Sequence, residues 1–239
     1  MVAGSRTRSR TSKAEQAAAT RLRIVEAATT LFLRDGFLST TMAAIAREAG
    51  VAVQTLYLAF GSKTAILQAS FDAALKGGES EGVLEQDWYL GALAEPDGPT
   101  ALGLFCSGGS RIVARGSAVF AVIRAASSDP EVAELLTHNK QLRYDGFAAI
   151  IEALATRPGF APGLSTYDAL GILYTVFSED TYLLLVAEHG WTTERWQEWG
   201  FTTLLSQFFP GAVSDRMVRP VSSDVVEGID RTPREGGGR

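Results

Sequence analysis

Apolar positions in this chain recur at the three-to-four-residue spacing of amphipathic helices through most of its length. Ile24, Ala28 and Leu31, with Val25 and Phe32 beside them, give one apolar face to a first helix reaching about Arg34. Ser12 and Glu15 have the spacing of a capping box and predict its start there. Asp35-Gly36 stops it, because glycine takes a left-handed cap without strain. A short second helix turns Met42, Ile45 and Ala46 inward and is capped by Thr40 or Thr41. Ala49-Gly50-Val51 makes a turn, and a third helix over about 52–60 buries Leu56 and Phe60. Ser62 caps a fourth, with Ile66, Leu67 and Phe71 at core spacing, which ends at Gly77-Gly78.

From about 99 to 209 the pattern stays helical. Pro99 suits a helix start, and Leu102, Phe105, Ile112 and Val113 mark an apolar face that Gly108-Gly109 is expected to weaken or bend. Asp129-Pro130-Glu131 supplies a cap, a proline for the first helical position and an acid for the first turn of a helix reaching about Ala155. After a Pro/Gly loop, Ser165 or Thr166 starts a very apolar helix through Leu170, Leu173, Val176 and Phe177, read as continuing to Ala187. His189-Gly190 stops it, and Thr192 or Thr193 starts a last helix to about Phe209, ended by Pro210-Gly211. No strand-like alternation stands out, so the expected fold class is all-α. The expected divisions are a flexible basic arm at 1–11, a three-helix helix-turn-helix unit at 12–62, a larger helical unit at 63–210 and a disordered tail at 211–239.

Composition narrows the classes. With 46% hydrophobic and 21% charged residues in 239, the chain has the make-up of a soluble globular protein with enough sequence for a real core. No run of 18 apolar residues occurs, so no membrane span is expected. The Arg- and Ser-rich start lacks the apolar stretch of a secretory signal. It shares its composition with organelle transit peptides, but the helical pattern begins immediately after it. A single cysteine, Cys106, excludes an internal disulfide and suits a cytoplasmic location. The two histidines, His138 and His189, have no ligand-type partner at helical spacing, so neither a metal nor a cofactor is expected.

The net charge of −5 hides an asymmetry: residues 1–63 carry nine Lys/Arg against four acids, while the remainder is strongly acidic. A phosphate backbone would meet the local positive field of the N-terminal segment rather than the average. That segment contains the stretch GFLSTTMAAIAREAGVAVQTLYLAFGSK at 36–63, two short helices around Gly50. Helices this short need packing partners, and packing leaves the outer face of 52–58 free for base edges. Gln54 suits adenine, and the methyls of Val53 or Thr55 suit thymine. Tyr57 and Leu58 share the face, Thr41 and Tyr57 can donate to phosphates, and Lys63 adds charge at the start of a helix. Two other classes fit an all-α chain: a helical adaptor for proteins and a small-molecule enzyme. An enzyme finds little support, since there is no phosphate loop, nucleophile elbow or hydrolytic triad, and no catalytic residue is assigned.

The spaced set Gly36-Phe37, Thr40-Thr41, Ile45-Ala46, Ala49-Gly50-Val51, Thr55-Leu56-Tyr57, Phe60 and Ser62-Lys63 resembles the TetR family of one-component repressors over about 20–71. Gly190-Trp191 before the last helix resembles, more loosely, one branch of that family. The sequence departs from the family pattern at Ala52, Gln54 and Ala59. The resemblance implies a homodimer that binds a palindromic double-stranded DNA operator and releases it on binding a small-molecule effector. It implies a dimer interface through about 165–187 and 192–209, with Trp196, Trp199, Phe208 and Phe209 as interface or core residues. An effector pocket would lie in the C-terminal unit, with Phe105, Phe120, Arg124, Phe147, Tyr174, Phe177 and Tyr182 as candidates. Ordinary core packing is the alternative for each. A buried Arg124 would need an anionic partner, either Glu179, Asp180 or the ligand.

Overall fold

The computed structural model describes residues 5–213. It is all-α, with no strand among the described residues. The helices are α1 (Ser5–Asp35), α2 (Met42–Ala49), α3 (Val53–Phe60), α4 (Lys63–Lys76), α5 (Asp87–Ala94), α6 (Gly98–Ala125) and α7 (Pro130–Ala155). There follow α8 (Thr166–Val176), α9 (Glu179–Tyr182) running into a π-helical stretch (Leu183–Glu188), α10 (Thr193–Phe208) and the short α11 (Pro210–Val213). A 3-10 turn at Val83–Glu85 precedes α5.

The caps explain most boundaries. The Thr41 hydroxyl accepts the Ala44 amide at 3.1 Å, and the Ser62 hydroxyl accepts that of Ala65 at 3.1 Å. Asp129 caps α7, with Pro130 in the first turn. Ser165, rather than Thr166, caps α8, and Thr192, rather than Thr193, caps α10. Gly50 closes α2 with φ 66°, a left-handed conformation that costs a residue with a Cβ.

Four expectations need correction. Helix α1 begins at Ser5, so Ser12 lies inside it and does not cap it. Once the turns around Ile24 and Phe32 are fixed by packing, extending a helix costs little, and Arg and Ala are good helix formers. The rest of the basic arm and the tail from 214 lie outside the described residues. Helix α5 was absent from the pattern because it is short and its cap residue, Gln86, makes no capping bond. The apolar helix expected through 187 breaks at Phe177 (φ −107°, ψ 63°), where Ser178 accepts the Thr181 amide and starts α9. Gly108-Gly109 does not interrupt α6. A Cβ on Gly108 would overlap the Trp88 ring, and one on Gly109 would stand 2.9 Å from Phe177. The glycines let α5 and the α8–α9 corner press directly on the α6 backbone.

Helix α6 is the spine, packed on α4, α5, α7, α9 and α10. Two cores meet along it. One gathers Leu102, Phe105, Ile150, Leu154, Leu173, Phe177, Trp196, Leu204, Phe208 and Phe209. The other combines Ile24, Leu31, Phe32, Ile45, Leu56, Ile66, Leu67 and Phe71 of α1–α4 with Val119, Phe120 and Ile123 of α6 and Val132 and Leu135 of α7. Trp196, Phe208 and Phe209 are thus buried within the protomer, and Trp199 is half-exposed. The segment Thr166–Glu188 reaches a mean hydropathy of 1.4, enough by length and composition to cross a membrane. The break at Phe177 and the burial of Leu173, Phe177 and Glu179 instead make it a core-facing element.

Candidate nucleic-acid interface and ligand cavity

Helix α3 buries a single side chain completely, Leu56. One turn apart on the opposite side, Val53 and Tyr57 are exposed, as are Gln54 and Leu58, the last with 87% of its surface in solvent. Thr55 is half-buried at the edge of this face. Thr41 is exposed at the start of α2 while its hydroxyl oxygen caps that helix. Five of the seven nominated residues are therefore open to solvent, and Thr55 borders them.

Lys63 is placed differently. Its ammonium donates to the Phe37 carbonyl at 2.7 Å and the Thr40 carbonyl at 2.8 Å, and lies 4.0 Å from the Phe37 ring centre. Burial pulls its pKa below the usual lysine range, against the opposing pull of Asp129. Lys63 ties the α1–α2 loop to α4, so its charge is not turned outward to a phosphate. We expect Lys63→Met to lower stability by about 1–3 kcal/mol, because two carbonyls lose their donor. Urea unfolding measures this, and an unchanged midpoint would return Lys63 to the phosphate-binding set. Arg21 is a contact the sequence did not reveal. It donates to the Ala59 carbonyl and stacks 4.0 Å from the Phe60 ring centre, placing a cation at the C-terminal end of α3.

A cavity of about 290 Å³ lies between α4, α5, α6, α7 and the α8–α9 corner. Its walls are largely apolar and include Phe71, Trp88, Phe105, Phe120, Phe147 and Phe177. Four of the nominated pocket residues, Phe105, Phe120, Phe147 and Phe177, line it. The other three do not. Arg124 is exposed and pairs at the surface with Asp180. Tyr182 packs on Trp196 and shares a 2.7 Å hydrogen bond with Thr193. Tyr174 stands in the outer groove between α7 and α8, beside Tyr144.

The buried charges are elsewhere. Arg143 of α7 and Glu179 of α9 form an ion pair in the cavity wall, with 12% and 8% of their side-chain surface exposed. The Arg143 guanidinium is stacked 4.3 Å from the Tyr174 ring centre, and its Nε–H has no partner. Sequence offered one signal for it. Val132, Leu135, Asn139, Arg143, Gly146 and Ile150 share one helical stripe, so Asn139 and Arg143 are polar residues on an inward line. Among the described residues no cluster of His, Cys, Asp and Glu is arranged to hold a metal ion. Cys106 is buried, and burial pushes its thiol pKa far up.

The described residues thus form a helix-turn-helix with an open outer helix, on a helical body that encloses an apolar cavity. Residues 24–70 match the family described as bacterial regulatory proteins, tetR family. Among curated proteins, none matches the sequence. Solved structures share the fold over about four-fifths of the chain. NalD, the secondary repressor of the MexAB-OprM multidrug efflux pump in Pseudomonas aeruginosa, is similar with TM-score 0.62 and 18% identity, over 82% of this chain and 98% of that one. FadR from Bacillus subtilis, solved with stearoyl-CoA, gives 0.62 and 17%, over 78% and 98%. A transcriptional regulator from Saccharomonospora viridis, solved with choline, gives 0.62 and 16%, over 80% and 98%. The matched family and these neighbours all carry the names of regulators.

Proposed function

We propose that this chain is a homodimeric transcriptional repressor that binds a palindromic operator and lets go when a small molecule occupies its cavity. The observation that carries this reading is the open face of α3, where Val53, Gln54, Tyr57 and Leu58 stand in solvent on a helix with no other evident use for them. Gln54 is assigned to a base edge, Tyr57 and Thr41 to phosphates, and Val53, Leu58 and the edge residue Thr55 to apolar contacts with thymine methyls and sugars. Residues 12–62 then form the DNA-binding part and 63–210 the ligand-binding and dimerisation part, in a cytoplasmic protein.

Dimerisation is assigned to the outer faces of α8 and α10. These expose Tyr167, Gly171 and Thr175, and Thr202 and Ser206, with Trp199 half-exposed beside them. Small side chains let helices approach closely, and the two-fold axis would set the recognition helices about 34–36 Å apart. Helix α4 supplies the link: Phe71 and Leu75 line the cavity, while Lys63 at its other end holds the loop before α2. A ligand that prefers one position of α4 shifts the dimer between DNA-competent and incompetent states. The repressor role of NalD and the ligands bound to FadR and to the Saccharomonospora viridis protein support this reading by analogy.

Fluorescence anisotropy against DNA from upstream of its own gene, at several salt concentrations and beside a shuffled control, tests it. Gln54→Ala is expected to weaken operator binding by roughly 5- to 150-fold and relax preference at one base position. Tyr57→Phe should weaken binding to both DNAs alike. Equal, weak binding of the unmodified protein to operator region and control would sink the proposal.

A further inference from the structure

The cavity wall carries information about the class of effector. Its floor is apolar and aromatic, and the well-buried charges in it, Arg143 and Glu179, already face each other. A full anion bound beside them would leave net negative charge in an apolar enclosure, and a cation would meet the guanidinium. Asp72, Lys76 and Lys140 also border the cavity, but Asp72 and Lys140 are exposed and Lys76 half-exposed, where water solvates them. The guanidinium still has spare donor capacity. It has five N–H groups, Glu179 is its sole ion-pair partner among the described residues, and Nε–H is unpartnered.

Resting on the effector-cavity reading above, we propose that the cavity takes an uncharged, mainly apolar small molecule whose carbonyl-type oxygen accepts a hydrogen bond from Arg143. The volume of about 290 Å³ sits at the lower edge of ligand pockets, which suits a compact or medium-chain molecule. The acceptor fixes orientation, and the aromatic walls supply most of the binding through the apolar area they cover. The Arg143–Glu179 pair thus works as a neutral polar anchor.

Four probes of equal chain length separate the classes: methyl octyl ketone, decanoate, decyltrimethylammonium and decane. Each is titrated into the full-length protein, with calorimetry and tryptophan fluorescence as readouts, since Trp88 lines the cavity. The ketone is expected to bind at least about tenfold more tightly than either charged probe, and about tenfold more tightly than decane. In Arg143→Met/Glu179→Leu, which replaces the pair by apolar groups, the preference for ketone over decane should vanish. Tightest binding by decanoate, abolished in Lys76→Ala/Lys140→Ala, would overturn the neutral class while leaving the effector cavity standing. Survival of the ketone preference in the double variant would overturn the role of Arg143. If no probe binds while operator binding is intact, both the ligand class and the effector reading of this cavity fall.

Discussion

Trp196→Ala is expected to destabilise the protein by about 3–5 kcal/mol. The indole is fully buried, its ring centre is 4.6 Å from that of Phe177, and the Tyr182 ring meets it edge-on at 5.2 Å. Its N–H points to the Thr181 hydroxyl at 3.4 Å. It therefore pins α10 to the corner where α8 ends and α9 begins. Removing it opens a large cavity that cannot collapse, because Phe177 is held from the other side against Gly109 of α6. Urea unfolding at fixed protein concentration measures the loss. A change below about 1 kcal/mol would mean that neighbouring side chains refill the space and that the indole does not pin α10 to this corner.

The second large effect is expected at Arg143. Arg143→Met leaves the Glu179 carboxylate buried with no cation, at a cost of about 3–5 kcal/mol. Glu179→Leu alone strands the guanidinium in the same way. The double replacement should recover most of what either single change loses, because neither buried charge then remains. The cycle of wild type, two single variants and the double variant, followed by thermal or urea unfolding, isolates the coupling. Additive losses would show that the two side chains do not depend on each other.

The N-terminal half was legible because its signals are local. Thr41, Gly50 and Ser62 each set a boundary within one turn of the chain, and the apolar stripe of each short helix points at the same core. Lys63 was misread for the converse reason. A lysine in the first turn of a helix suggests an anion, but its partners here, the carbonyls of Phe37 and Thr40, are far back in sequence. Arg124 and Arg143 show the same limit inside the body. Arg124 lies at the end of α6, where the chain leaves the core, and its charge stays in solvent. Arg143 sits among polar neighbours, and its burial is decided by α8 and α9, some 30 residues later. The break at Ser178 was marked in the sequence: a serine followed by Glu179 and Asp180 is a helix start, which the unbroken apolar period on either side obscured.

Phe71 and Phe120 face two ways. They belong to the core beneath the helix-turn-helix, and they also form part of the cavity wall. No layer of side chains insulates the two regions at this point. The molecule is consequently poor material for cut-and-paste engineering at the sequence boundary between α3 and α4. A chimera that grafts residues 12–62 onto another helical body leaves behind Ile66, Leu67, Phe71, Phe120, Ile123 and Val132, the greasy underside on which the helix-turn-helix rests. A transplant that respects the packing has to carry α4, the end of α6 and the start of α7 along with the head. Part of the cavity wall then travels with the helix-turn-helix.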